Sequence, residues 1–408
     1  MIFTFTWISC DGNDHKANTC GDGEISSADA VWSHGEGDLQ NSKRAPGIRQ
    51  KGCFTGPQTT PQIQWSFDLG GPGTDAAPVI GNDGTIYLIG EYPGQAKGGG
   101  VRNAGLFAIS PDGNMKWFLS RPRESALIYK HSVTSATDGT LFLRMWDSSF
   151  YALNSSGEVK WSKRMTLSSD PVVDNNGFVY VGTDTIYSFE QDGTIRWKYI
   201  NESPISYCQR IVLGRNGIYC GFYQNGILAL DYTGHKKWFY PVTFDNSYHY
   251  GVLVDEADNI YFKTNSNEIQ SIDRNGNFRW GGSVGVVGGM SEPVLRGDYL
   301  YFGSFLQVYR LDKKTGTELT LLGSVPNGSY ISSDVSPVID DNGVVYIGSG
   351  AGGISAISSE GQKLWQMLIP NANFYFEGYM AMSPDGTLYI ASWESSTPGV
   401  INKLYAIR

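Results

Sequence analysis

Three segments of the chain begin with aromatic and cationic residues in close order: Tyr129, Lys130 and His131; Tyr207 and Arg210; and Tyr248, His249 and Tyr250. Arg144, Trp146, Tyr223 and Trp393 follow at comparable places between apolar runs. Such sets suit an acidic sugar chain, with aromatic faces stacking on sugar rings and guanidinium forks pairing with carboxylates. β-Elimination from a uronate needs a cation to neutralise the carboxylate, a base for the C5 proton and an acid for the leaving oxygen. Arg144 or Arg210 would neutralise, His131 or His249 would take the proton, and Tyr207 or Tyr250 would give one. Tyr129, Trp146, Tyr223, Tyr248 and Trp393 would hold the ligand. No lyase motif matches residue by residue, and the plainer reading is that these side chains line and pack a narrow channel.

The elements that would position them are repeats. The phrases "FYALNSSGEVKW", "IYSFEQDGTIRW" and "ALDYTGHKKW" each read as an apolar strand, a polar turn ending in Gly, and a strand closed by Trp. Aligned on Trp117, Trp161, Trp197, Trp238, Trp280, a copy ending at Thr320, and Trp365, they recur about every 40 residues, the length of four short strands. A second hairpin precedes each phrase, as in "GNDGTIYLI" and "SPDGTLYIA", where Gly accepts the positive φ of a tight turn. The last unit stops after its third strand at "KLYAIR", while "QIQWSFDL" at residues 62–69 is a Trp-bearing strand with no partners before it. An all-β, eight-bladed β-propeller of four-stranded antiparallel blades follows, with the N-terminal strand completing the last blade and removing the open edges. Residues 1–60 read as a tail or linker and 61–408 as the propeller.

Bulk composition agrees. The chain has 408 residues, 51 of them Gly, only 17% charged and 13% aromatic, which suits many strands and turns. A net charge of −9 without a basic stripe disfavours nucleic acid as a partner. No apolar run reaches the roughly 18 residues of a spanning helix. The acidic turns "VVDNNG" and "VIDDNG" occupy one slot in successive repeats, so they read as hairpins rather than as metal loops.

The repeat phrase resembles the PQQ-like propeller signature, Ala-x-Asp-x-x-Thr-Gly-x-x-x-Trp. "ALDYTGHKKW" matches it with one turn residue deleted, and "RLDKKTGTELT" keeps the full turn with Thr320 in the Trp position. With "AVWSHGEGDLQNSKRAPG" at residues 30–47, the resemblance spans roughly 30–408. It implies that Trp65, Trp117, Trp161, Trp197, Trp238, Trp280 and Trp365 dock adjacent blades. Quinone dehydrogenases of this fold carry adjacent cysteines and a calcium set, neither of which is found here, so no cofactor and no resident metal are expected. Other relatives are non-enzymatic, such as the propeller lipoprotein of the outer-membrane assembly machinery. The expectation is a monomeric, exported, non-catalytic propeller that binds a protein or an acidic glycan through one face. A uronate lyase is the alternative.

Cysteine placement bears on export. "MIFTFTWISC" is apolar and ends in Cys10, like the tail of a lipoprotein signal, so it reads as an export remnant with Cys10 as the candidate lipid-anchor site. Cys20 and Cys53 would staple the N-terminal arm in an oxidising compartment. Cys208 and Cys220 fall on neighbouring strands. If "GRNG" is a two-residue turn, Cys220 opposes Ile211, Cys208 points to the other face, and no disulfide forms unless a bulge intervenes.

Overall fold

The computed structural model describes residues 55–70, 77–91, 103–122, 133–145, 148–201, 207–223, 225–242, 251–265, 267–286, 290–317, 319–325, 331, 336–349, 352–369, 380–392 and 402–408. In them, 32 strands form eight antiparallel sheets of four, arranged as the blades of a closed β-propeller. Seven blades use consecutive strands A to D. Blade one, for instance, runs Val79–Ile80, Ile86–Glu91, Asn103–Ile109 and Met115–Pro122. Blade eight takes Met380–Met382, Leu388–Ala391 and Asn402–Ile407 from one end of the chain and Ile63–Gly70 from the other. That seam pairs Ile63 with Ile407 through Gly70 with Asn402, and Gln62 and Arg408 exchange backbone hydrogen bonds of 2.9 and 3.0 Å at its end.

Burial explains why the inner strands read as unbroken apolar runs rather than alternating ones. In blade four, every residue of strands B and C, Ile218–Phe222 and Gly226–Leu230, is buried. Both faces of each blade pack against neighbouring blades, so both faces must be apolar. Strand D, Lys236–Pro241, sits at the outer rim and keeps lysines and half-exposed rings.

Each repeat phrase builds one row across strands B, C and D. In blade one Tyr87 pairs with Ala108, which pairs with Trp117, and the two rings meet at 5.9 Å over the small side chain between them. Tyr219, Ala229 and Trp238 repeat this in blade four, with the rings at 5.8 Å. Ring pairs of this kind contribute about 0.5–1.5 kcal/mol beyond area burial. Each indole N–H then crosses to a carbonyl in the C–D turn of the next blade. Trp65 donates to Pro111, Trp117 to Ser155, Trp161 to Gln191, Trp197 to Tyr232, Trp238 to Arg274 and Trp280 to Lys313, all at 2.7–3.0 Å. The Gly of the accepting turn lies flat under the indole. At Gly157, with φ of 87°, an added Cβ would meet the Trp117 ring at 2.9 Å. Trp365 closes the circle on Pro57 at 2.6 Å, because the chain break of blade eight falls where its C–D turn would be.

Blade six lacks the Trp and solves the problem differently. Arg310 occupies the small-residue position, between Tyr301 and Thr320, and its guanidinium reaches the Ser359 carbonyl of blade seven at 3.0 Å.

The expectation of unpaired Cys208 and Cys220 is corrected. The turn has two central residues and Ile211 does oppose Cys220, but Gln209 bulges out, so that Cys208 pairs with Phe222. The bulge turns Cys208 onto the face of Cys220, and a disulfide joins them across a Cα–Cα distance of 6.0 Å. Gly182 of blade three makes room for it, since a Cβ there would lie 2.6 Å from that of Cys208.

Candidate functional site

Strand A is innermost, so the residues that enter it lie at the channel rim beside the B–C connections. Tyr207 precedes Cys208–Leu213 and Tyr223 follows Ile218–Phe222, which puts the two side by side where the hairpin opens. Their rings stack at 5.1 Å and 9°, the Tyr223 N–H donates to the Tyr207 carbonyl at 3.0 Å, and Tyr207 is 37% exposed. The Cys208–Cys220 bond lies directly behind the pair and fixes the end of the strand that carries it.

Arg210 pairs with a carboxylate of the protein. Its Nη2 meets Oε1 of Glu292, a carboxylate with a side chain 1% exposed on the segment entering blade six, at 3.2 Å. The contact joins blade four to blade six past blade five. Nearby, Lys263 of blade five is buried and donates to the Met290 carbonyl at 2.5 Å. A buried pair of this sort is costly to break, because removing one partner strands the other's charge. Arg144 of blade two is likewise committed: Nη1 donates to the Leu167 carbonyl, and Nε lies 3.8 Å from Asp170. Burial pushes its pKa down, against the opposing effect of Asp170.

Of the residues singled out for chemistry, Tyr207 and Tyr223 are brought together. Arg144 donates to the Leu167 carbonyl and Arg210 to the Glu292 carboxylate. Tyr129, His131, Trp146, Tyr248, His249, Tyr250 and Trp393 lie outside the described residues, as do Cys10, Cys20 and Cys53. All seven blade-docking tryptophans make the contacts given above. Glu292 was not foreseen: nothing local in "MSEPVL" marks its carboxylate as the partner of an arginine 82 residues away. Among the described residues, no three His, Cys, Asp or Glu side chains come together as a metal cluster. No helix among them is long and apolar enough to cross a membrane.

A closed ring of four-stranded blades, docked by indoles over glycine turns, defines a PQQ-like β-propeller. The model of the family described as outer membrane protein assembly factor BamB matches residues 58–321, and the chain belongs to that family. A search of the curated proteins found no match. Among solved structures, a europium-containing methanol dehydrogenase is 12% identical with a TM-score of 0.62, covering 94% of this chain and 99% of that one. The computationally designed Ika8 protein is 13% identical with a TM-score of 0.58, covering 83% and 98%. BamB from Moraxella catarrhalis is 13% identical with a TM-score of 0.44, covering 87% and 94%. At these identities the first two likenesses are of fold alone.

Proposed function

We propose that this chain is an exported, non-catalytic propeller that binds other proteins through its channel-rim face, with the stacked Tyr207–Tyr223 pair as an anchor. Membership of the BamB family over residues 58–321 carries the reading, since that family's description is of an assembly factor rather than an enzyme. Two features support it. The Cys208–Cys220 disulfide fits an oxidising compartment outside the cytoplasm. The Tyr pair is a rigid, partly exposed aromatic surface of the kind that anchors protein interfaces, while the nearby arginine Arg210 is used for internal pairing.

The test is site-specific photocrosslinking in the native cell envelope, with a benzophenone amino acid at Tyr207 or Tyr223 and, as a control, at the exposed outer-strand position Lys363. Adducts with a protein of the outer-membrane assembly machinery at the rim positions and not at residue 363 are the expected result. Equal adducts at all three positions, or none at the rim, would refute the reading.

A further inference from the structure

Blade six carries an exposed phenylalanine in a backbone conformation that suits glycine. Its strands B and C, Tyr299–Ser304 and Gln307–Asp312, stay paired as far as Ser304 with Gln307, so Phe305 and Leu306 alone make the turn. Phe305 has a φ of 52°, in the left-handed region that Gly fills most easily in a two-residue hairpin. The B–C connections of blades seven and two put their positive φ on small residues, Gly352 at 72° and Ser148 at 57°. A bulky side chain at such a φ is strained. The Phe305 ring is 54% exposed, so burial does not offset that strain.

The turn is pinned with the ring outside. The Phe305 carbonyl accepts from the Ile331 N–H at 2.5 Å, and the Leu306 carbonyl from the Val325 N–H at 2.8 Å. Ile331, 3% exposed, fills the space behind the hairpin, where a Cβ added at Gly303 would lie 2.7 Å from it. The turn shares a face with the Tyr207–Tyr223 pair, because the B–C connections and the segments entering strand A lie at one end of the blades. A path of bonds links the two places. Arg210, on the strand that Tyr207 enters, meets Glu292 at 3.2 Å. Ser291 beside it donates its N–H to the Gly303 carbonyl at 2.8 Å, and its hydroxyl accepts from the Gly303 N–H at 2.9 Å. Met290 pairs with Ser304, the neighbour of Phe305. These contacts fix the spacing between the tyrosine pair and Phe305, and Glu292 opposes the charge of Arg210 between them.

We propose that Phe305 and the Tyr207–Tyr223 pair are two fixed contact points for one protein partner, which takes the Phe305 ring into an apolar pocket. The proposal rests on the protein-binding reading above and extends its footprint from blade four to blade six. A ring already ordered at the surface loses little freedom on binding, and a few such side chains carry most of the energy of a protein interface. The strained turn is the loss of stability expected where a side chain is kept outside for function.

The test places the benzophenone amino acid at residue 305 and, separately, at residue 207 in a Phe305→Asn background, in the native cell envelope. Asn tolerates a positive φ. Phe305→Asn should therefore leave the thermal midpoint unchanged or raised, while it cuts the adduct yield from residue 207 at least tenfold. Phe305→Tyr, which keeps the ring, should restore that yield. By mass spectrometry, the adduct at 305 should contain the same protein as the adduct at 207. A lowered midpoint in Phe305→Asn would make the ring part of the fold and overturn the proposal. An undiminished yield at 207, or an adduct at 305 with lipid or with a different protein, would also overturn it. Crosslinking at 207 with silence at 305 defeats this proposal alone, whereas silence at both positions defeats the protein-binding reading as well.

Discussion

Arg310 reaches the Ser359 carbonyl across the seam of blades six and seven at 3.0 Å, doing from strand C what an indole does from strand D at the other seams. The guanidinium also lies 4.8 Å over the Tyr299 ring. Arg310→Ala should therefore lower stability by about 1.5–3 kcal/mol, the range for a hydrogen bond from a charged group. Adding Thr320→Trp to it rebuilds the usual small-residue and indole row, and should recover most of the loss. Thermal unfolding of both variants checks this, and failure of the second change to compensate would show that the two devices are not equivalent.

The Cys208–Cys220 bond closes a short loop between strands whose register is already slipped by a bulge. Replacing both with Ala should cost about 2–4 kcal/mol. Peptide mapping without reduction should recover residues 208 and 220 in one linked fragment, and dithiothreitol should shift wild-type unfolding to the position of the double variant. Separate fragments would restore the unbulged register.

High pH should unfold the protein steeply. Burial, aided by the charges of Asp83 and Asp385, pushes Tyr87 and Tyr389 up to about 12. Burial and neighbouring carboxylates push Tyr180, Tyr219, Tyr261 and Tyr346 higher still. A folded pKa above the unfolded one, about 10, means that the contribution is fully present below pH 10 and is lost as pH rises toward the folded values. With all six ionised in the unfolded chain alone, the slope is about 8 kcal/mol per pH unit at about 1.36 kcal/mol each. Denaturant midpoints between pH 8 and 12, with tyrosinate absorbance appearing only on unfolding, check the expectation. Gradual ionisation of the native protein from pH 10 would contradict it.

Removing residues 1–70 takes away the outer strand of blade eight and the Pro57 carbonyl that receives Trp365. The Asn402–Ile407 strand then presents an unpaired edge, which templates association with other chains. Light scattering after size exclusion should show oligomers or aggregate for this truncation and a defined species for the full chain.

Local patterns carried the repeat architecture. Eight blades, the strand borrowed from residues 62–69, the Asp-Gly turns and the positions of the tryptophans are written in short-range spacing, because hairpin geometry depends on near neighbours, while the docking role of the tryptophans followed from the resemblance to the propeller repeat. Gly84 and Gly139 of those turns do take positive φ, 78° and 81°. The stacked Tyr207–Tyr223 pair was within reach of the same reasoning, since both flank one hairpin.

Other features depended on what ring closure brings together. Gln209 bulges and reverses the face of Cys208, and one slipped residue in a strand inverts every side chain beyond it. Arg210 finds Glu292 two blades away, and Arg310 replaces a missing indole only because Ser359 lies across a seam. Asp174, Asp255 and Asp340 look alike in sequence, yet two are sealed by neighbouring segments and one faces an open cleft. The sequence by itself thus determined what each blade is. Only the tertiary structure decided what each seam contains, because a seam is built from residues far apart in the chain whose contacts no local spacing encodes.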